Sequence, residues 1–167
     1  MKLTYQDLLE KMTNMEMLAI PPEKGEMGGN FSSYDRNSSY DPSTDTYSQW
    51  GANRDCDGYI RMEKDRLVAF EMEGPGVIWR IWSANPQEGH IRIYTENEQK
   101  EKMDMPFRKL FERYAYDESR VEWPANFPEL MPILSRGRNR FIPIPFNHYC
   151  KVTLDPGWGE FYHITYT

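Results

Sequence analysis

From Arg66 to Thr167 apolar side chains keep returning at every second position, and prolines and glycines close most runs before they lengthen. That period belongs to strands with one face buried, not to helices. "RLVAFEMEGPG" places Val68, Phe70 and Met72 on one face and turns at its glycines. "VIWRIWSA" is almost continuously apolar and reads as a central buried strand. "GHIRIYT" sets Ile91 and Ile93 against His90, Arg92 and Tyr94. "RFIPIPF" alternates again, with two prolines that confine it to a sheet edge or a bulge. "YCKVTLDPGWGEFYHITYT" reads as two strands joined by "DPGWG", with Cys150, Val152 and Leu154 inward and Trp158 packed in a hairpin turn. With no βαβ rhythm, these runs predict an all-β fold, a jelly-roll β-sandwich. Aromatics at 14% and 12 prolines point the same way, towards strands and shaped loops.

The helical signal sits at the start. In "LTYQDLLEKMTNMEMLA", Thr4 is an N-cap with Asp7 three residues on, and Leu8, Leu9, Met12 and Met15 form one apolar stripe. A short α-helix over residues 4–16 should therefore pack outside the sandwich, and "IPPEKGEMGG" stops it. Residues 1–28 are expected to be helix and linker, and 29–167 a single jelly-roll domain. Between residues 100 and 140 runs a Pro-broken segment with one short helical stretch, "PFRKLFERY"; a connection that long is usually functional or a crossover. The final "FYHITYT" still reads as strand, which leads us to expect that the natural chain continues.

At 167 residues and a net charge of −6 the chain has no basic cluster, so a nucleic-acid partner is not expected. No apolar window is long enough to cross a membrane as a helix, and "MKLTYQDLLEKM" is too polar for a signal peptide. Cys56 and Cys150 read as free or buried thiols, with one disulfide as the alternative. "NRDCDG" has an Asp-x-Asp-Gly core that can wrap Ca²⁺, but it lacks the rest of an EF-hand loop and suits an ordinary turn better. His90, His148 and His163 fall at no ligand spacing. We therefore expect neither a metal nor another cofactor. Nucleophile and phosphate-loop motifs are also missing.

The polar stretch "SSYDRNSSYDPSTDTYSQWGANRDCDGYIR", residues 32–61, is nearly free of aliphatic side chains yet carries Tyr34, Tyr40, Tyr47, Trp50 and Tyr59. Aromatic faces stack on sugar rings, while Asp, Asn and Arg bond hydroxyls. Tyr34 and Trp50 are the stacking candidates, and Asp35, Arg36, Asn53 and Asp55 the hydroxyl partners. Two other readings stay open: the aromatics pack the sandwich edge, or Arg36 pairs with Asp35 or Asp55 only to fix the loop. Acidic pairs for glycoside hydrolysis can be drawn from Asp35, Asp55, Asp57, Glu71 and Glu73, but spacing does not choose among them. Glu71 and Glu73 share a strand face roughly 7 Å apart and read best as solvated.

"SSYDR", "W-x-x-N-x-D-x-DG-Y-IR", "EMEGPGVIWRIWSA", "GHIRIY", "FIPIPF" and "DPGWGEFYHITYT", in that order, resemble glycoside hydrolase family 172 across nearly the whole chain from Gly29. The resemblance implies the N-terminal half of a double jelly roll, assembled as homo-oligomers, trimers or multiples of them. It implies retaining action on α-D-fructofuranosides, difructose anhydride or D-arabinofuranosides, and an exported, periplasmic or extracellular protein. The family's two catalytic glutamates belong to the second jelly roll, so no catalytic residue is assigned here. On this reading the domain supplies substrate-binding and oligomer contacts. The alternative is a stand-alone carbohydrate-binding or structural jelly roll without catalysis.

Overall fold

The computed structural model describes residues 3–52, 54–96, 99–112, 128–134 and 136–167. Two antiparallel sheets form a β-sandwich. Numbering strands along the chain, the first sheet runs β1 (Gly29–Ser32), β13 (Gly159–Tyr166), β6 (Gly76–Pro86), β10 (Gly137–Arg140) and β9 (Ile133–Leu134), with β11 (Ile144–Phe146) also on β6. The second runs β4 (Arg61–Glu63), β5 (Arg66–Glu73), β12 (Tyr149–Leu154), β7 (His90–Thr95) and β8 (Met103–Pro106). A separate hairpin, β2 (Ser39–Asp41) and β3 (Thr46–Ser48), stands outside both. The chain changes sheet between β5 and β6, β6 and β7, β11 and β12, and β12 and β13, the winding of a jelly roll.

Periodicity explains most of this. Ile91 and Ile93 of β7 and Cys150, Val152 and Leu154 of β12 alternate into the core, as the pattern requires, and meet Ile78 and Ile81 of β6 and Tyr162 and Ile164 of β13. β6 is central: β13 pairs along one edge, while β10 and β11 share the other, at Ile81–Ser83 and Gly76–Ile78. Pro143 falls in the gap between β10 and β11, and Pro145 lies on β11, which has no second neighbour among the described strands. Both prolines thus avoid a ladder bond they cannot donate.

Three expectations are corrected. Val68, Phe70 and Met72 do not share one face. Val152 pairs with Phe70 but Thr153 pairs with Val68, so Ala69 is an extra residue in a β-bulge that resets the alternation. Leu67, Ala69 and Phe70 therefore all reach the core, while Val68, equally buried, lies outside it. "DPGWG" is not a hairpin turn, because β12 and β13 belong to different sheets; the connection crosses the end of the sandwich and drives Trp158 into the core. The apolar stripe of the first helix is narrower than its sequence suggests. The α-helix spans Tyr5–Thr13 behind a full capping box, in which Thr4 and Asp7 exchange bonds, and Asn14 then re-caps a 3-10 turn, Met15–Ala19. Leu8 is buried but Leu9 and Met15 are exposed, and the Tyr5 hydroxyl fastens the helix by donating to the Pro143 carbonyl at 3.0 Å.

The expected short helix in "PFRKLFERY" is a 3-10 helix, Phe107–Phe111, whose Phe107, Leu110 and Phe111 fill the core; the last residues of that stretch, from 113, lie outside the described residues. Cys56 and Cys150 are free thiols, and burial pushes Cys150 up to about 12. No described helix is long and apolar enough to cross a membrane.

Candidate functional site

Hydrogen bonds tie the described residues of the polar stretch to β13, and a small residue anchors them. Ser33, 2% exposed, pairs its backbone N–H with the Tyr162 carbonyl, while its hydroxyl accepts from the Tyr162 N–H and donates to the Asp55 carbonyl at 2.8 Å. Gly58 N–H donates back to Ser33, and Phe161 N–H to Cys56. One edge of β13 thus holds both ends of a loop cluster. Nothing in the sequence distinguishes Ser33 from its neighbour Ser32; its role comes from the chain crossing between 33 and 58.

Above this anchor the candidate residues divide. The Asp35 carboxylate accepts from the backbone N–H of Asn37 at 3.0 Å and of Arg54 at 3.1 Å, while its own N–H donates to the Asp55 carboxylate at 2.8 Å. The Asn37 and Arg54 N–H groups hold the Asp35 carboxyl below its ordinary range. These two aspartates cross-brace the cluster. Arg36 does not pair with either: it donates to the carbonyls of Ser32 and Tyr34, and its cation lies 4.4 Å from the centre of the Tyr34 ring. Beneath it, burial raises the Tyr162 hydroxyl to about 12, against the opposing charge of Arg36. Asn53 lies outside the described residues.

The aromatic residues face out. On the β2–β3 hairpin Tyr40 and Tyr47 are direct cross-strand partners, with ring centres 5.0 Å apart, and Trp50 continues the row at 5.7 Å from Tyr47. Asp41 shapes the loop between these strands by accepting from the N–H and hydroxyl of Ser43, and Asp45 takes the Tyr40 hydroxyl at 2.8 Å. Trp50 is 78% exposed, and Tyr34, Tyr40 and Tyr47 are about half exposed. Packing of the sandwich edge does not account for this row.

Glu73 is exposed, as expected of a solvated face, but Glu71 is not simply solvated. The Glu71 carboxylate is held by Arg61 and by the Tyr149 hydroxyl at 2.7 Å, while Glu63 takes Arg61 and the Lys151 ammonium, the latter at 2.9 Å. The bond from Arg61, then that from Tyr149, pull Glu71 from 4.5 to about 2. A carboxyl so depressed stays ionised and cannot serve as a general acid near neutral pH. Because the folded value lies below the unfolded one, the stabilisation is complete above about pH 4.5 and is lost as pH falls towards 2. Urea midpoints measured from pH 7 to 3 should fall less steeply for Glu71→Gln than for the wild type; parallel curves would deny the linkage. Among the described residues, no group of three or more His, Cys, Asp or Glu side chains is placed to hold a metal ion.

Two antiparallel sheets wound as a jelly roll, with a braced loop cluster at one edge, define a β-sandwich domain. The chain belongs to glycoside hydrolase family 172, whose first beta-sandwich domain matches residues 24–167. No curated protein matches the chain.

Proposed function

We propose that this domain binds the sugar of a furanoside-processing glycoside hydrolase on the rim formed by residues 32–61. The observation that carries the reading is the row Tyr40, Tyr47 and Trp50, held in order on a hairpin yet open to solvent. Large exposed aromatics on a fixed scaffold suit a ligand with apolar ring faces. Tyr34 and Trp50 stack on the sugar, Arg36, Asn53 and Asp55 bond hydroxyls, and Asp35 holds the rim in shape from below. The substrates are α-D-fructofuranosides or D-arabinofuranosides, and the domain assembles with copies of itself as a trimer or a multiple of one.

The domain's role is binding rather than bond cleavage. Retaining hydrolysis needs two carboxyls about 5 Å apart, one of which can donate a proton, whereas Glu63 and Glu71 are engaged by Arg61 and Asp35 is spent on backbone N–H groups. The purified 167-residue chain should therefore release no aryl alcohol from aryl α-D-fructofuranosides or aryl D-arabinofuranosides. Turnover that disappears when one of its own glutamates is changed to Gln would contradict this division of labour.

A further inference from the structure

We propose that the outer face of the first sheet carries a separate site for a carboxylate, built on Arg80 and His163. Ile81 of β6 and Ile164 of β13 point into the core, so Arg80, Trp82, His163 and Thr165 point out. His163 pairs with Trp82 and Thr165 with Arg80 across the two strands. Arg80 and His163 are therefore diagonal neighbours, roughly 7–8 Å apart between Cα atoms. One carboxylate seated between them would reach both side chains.

Arg80 is a partly buried cation without an anion. Its Nε donates to the Asn139 side-chain oxygen at 2.9 Å, and its guanidinium lies 5.8 Å from the centre of the Phe141 ring. Asn139 is 2% exposed and is itself held, because its amide donates to the Pro132 carbonyl at 3.1 Å. The fork is thus fixed. Neither Nη group has a partner among the described residues, and neither is sealed from solvent, so both can meet a flat two-oxygen acceptor. No carboxylate among the described residues pairs with Arg80, whereas Arg61, Arg66 and Arg92 on the second sheet each meet one. Burial holds the Arg80 guanidinium below its ordinary range, with no opposite charge to offset it. The second donor is His163. Its side chain is exposed, stands edge-on to Trp82 at 5.2 Å between ring centres, and takes the Asn30 amide on Nδ1 at 3.1 Å. The neutral ring therefore carries its proton on Nε2, where it can donate. Burial, then the nearby charge of Arg80, lowers His163.

The site draws no residue from the rim, and a residue-resolved measurement separates the two. Amide, indole and imidazole chemical shifts of the isotope-labelled full chain would be followed during titration with sodium acetate, sodium glucuronate and methyl glucoside at fixed ionic strength. Saturable shifts should cluster on Arg80, Trp82 and His163 with both carboxylates, with a Kd of about 1–10 mM. Methyl glucoside should give none there, whatever happens at Tyr47 and Trp50. Acetate reports the carboxylate alone, and any gain with glucuronate reports the ring that carries it. Around His163, β1 offers Asn30 and Ser32 and β6 offers Trp82 and Arg80, so Arg80 is the charged neighbour to be offset. His163 should accordingly titrate at higher pH with glucuronate bound than without it, because a neighbouring anion favours imidazolium. Arg80→Gln should weaken binding by about tenfold or more while leaving the rest of the amide spectrum in place; Arg80→Lys, which keeps the charge but not the fork, should fall in between. Absence of saturable shifts at these groups, equal binding of methyl glucoside, wild-type affinity in Arg80→Gln, or an unmoved His163 titration would overturn the proposal.

Discussion

Phe70→Ala should cost about 3–5 kcal/mol, a large share of the ~5–15 kcal/mol that holds a domain of ordinary stability together. Phe70 is fully buried and stands where the two sheets meet. Its ring packs edge-on against Phe31, Tyr166 and Phe146 at 5.1, 5.6 and 6.3 Å, all three from the opposite sheet. Truncation removes the apolar transfer term and three edge contacts and leaves a cavity. The sheets cannot close on it, because the Ala69 bulge already fixes the local twist of β5. A fall in the urea midpoint at unchanged slope measures the loss. A loss below about 1 kcal/mol would mean that the core repacks and that Phe70 is not its centre.

Gly159→Ala should be nearly as damaging, at about 3 kcal/mol or more from backbone strain and overpacking together. Gly159 begins β13 with φ of +112°, and a Cβ there would collide with the Asn85 carbonyl. The strand cannot back away, because Gly159 pairs with Pro86 and the neighbouring Gln87 N–H donates to Trp158 at 2.7 Å. Gly157 is the internal control: its φ is +78°, but a Cβ there meets nothing closer than 4.0 Å. Gly157→Ala should thus cost only about 1 kcal/mol. Equal losses at the two positions, read from melting curves, would show that backbone conformation alone matters here.

These positions also mark what could be read before folding. The alternation in β7 and β12 and the unbroken run in β6 specified their places, since burial on one face or two is written directly into spacing. The prolines near residues 143–145 set an edge for the same local reason. Phe70 was legible as core, but the bulge beside it was not: a one-residue insertion is set by the partner strand β12, far along the chain. The connection at Trp158 looked like a hairpin because Asp, Pro and Gly build turns of either kind, and only the packing of two sheets decides where the chain goes next.

At the rim, composition singled out Asp35 without showing what holds it in place. Asp35 looks like any exposed acid until Asn37, Arg54 and Asp55 close around it, and that geometry requires a contact across some twenty positions of sequence. The exposure of Tyr34 and Trp50 follows from aromatics set within a polar stretch that has almost no aliphatic partners to bury them. Lys151 and Tyr94 alternate with the core-facing residues of their strands yet are both buried, side by side on neighbouring strands.

Calorimetric titration of the chain with arabinofuranosyl and fructofuranosyl oligosaccharides, wild type against Trp50→Ala, tests the rim most directly. Trp50 is so exposed that its loss should leave the melting temperature nearly unchanged. Removal of a stacking face should weaken binding by about 1–2 kcal/mol, roughly five- to thirtyfold. Wild-type affinity in Trp50→Ala, or no measurable heat of binding in either protein, would contradict the assignment of residues 32–61 as a sugar-binding rim.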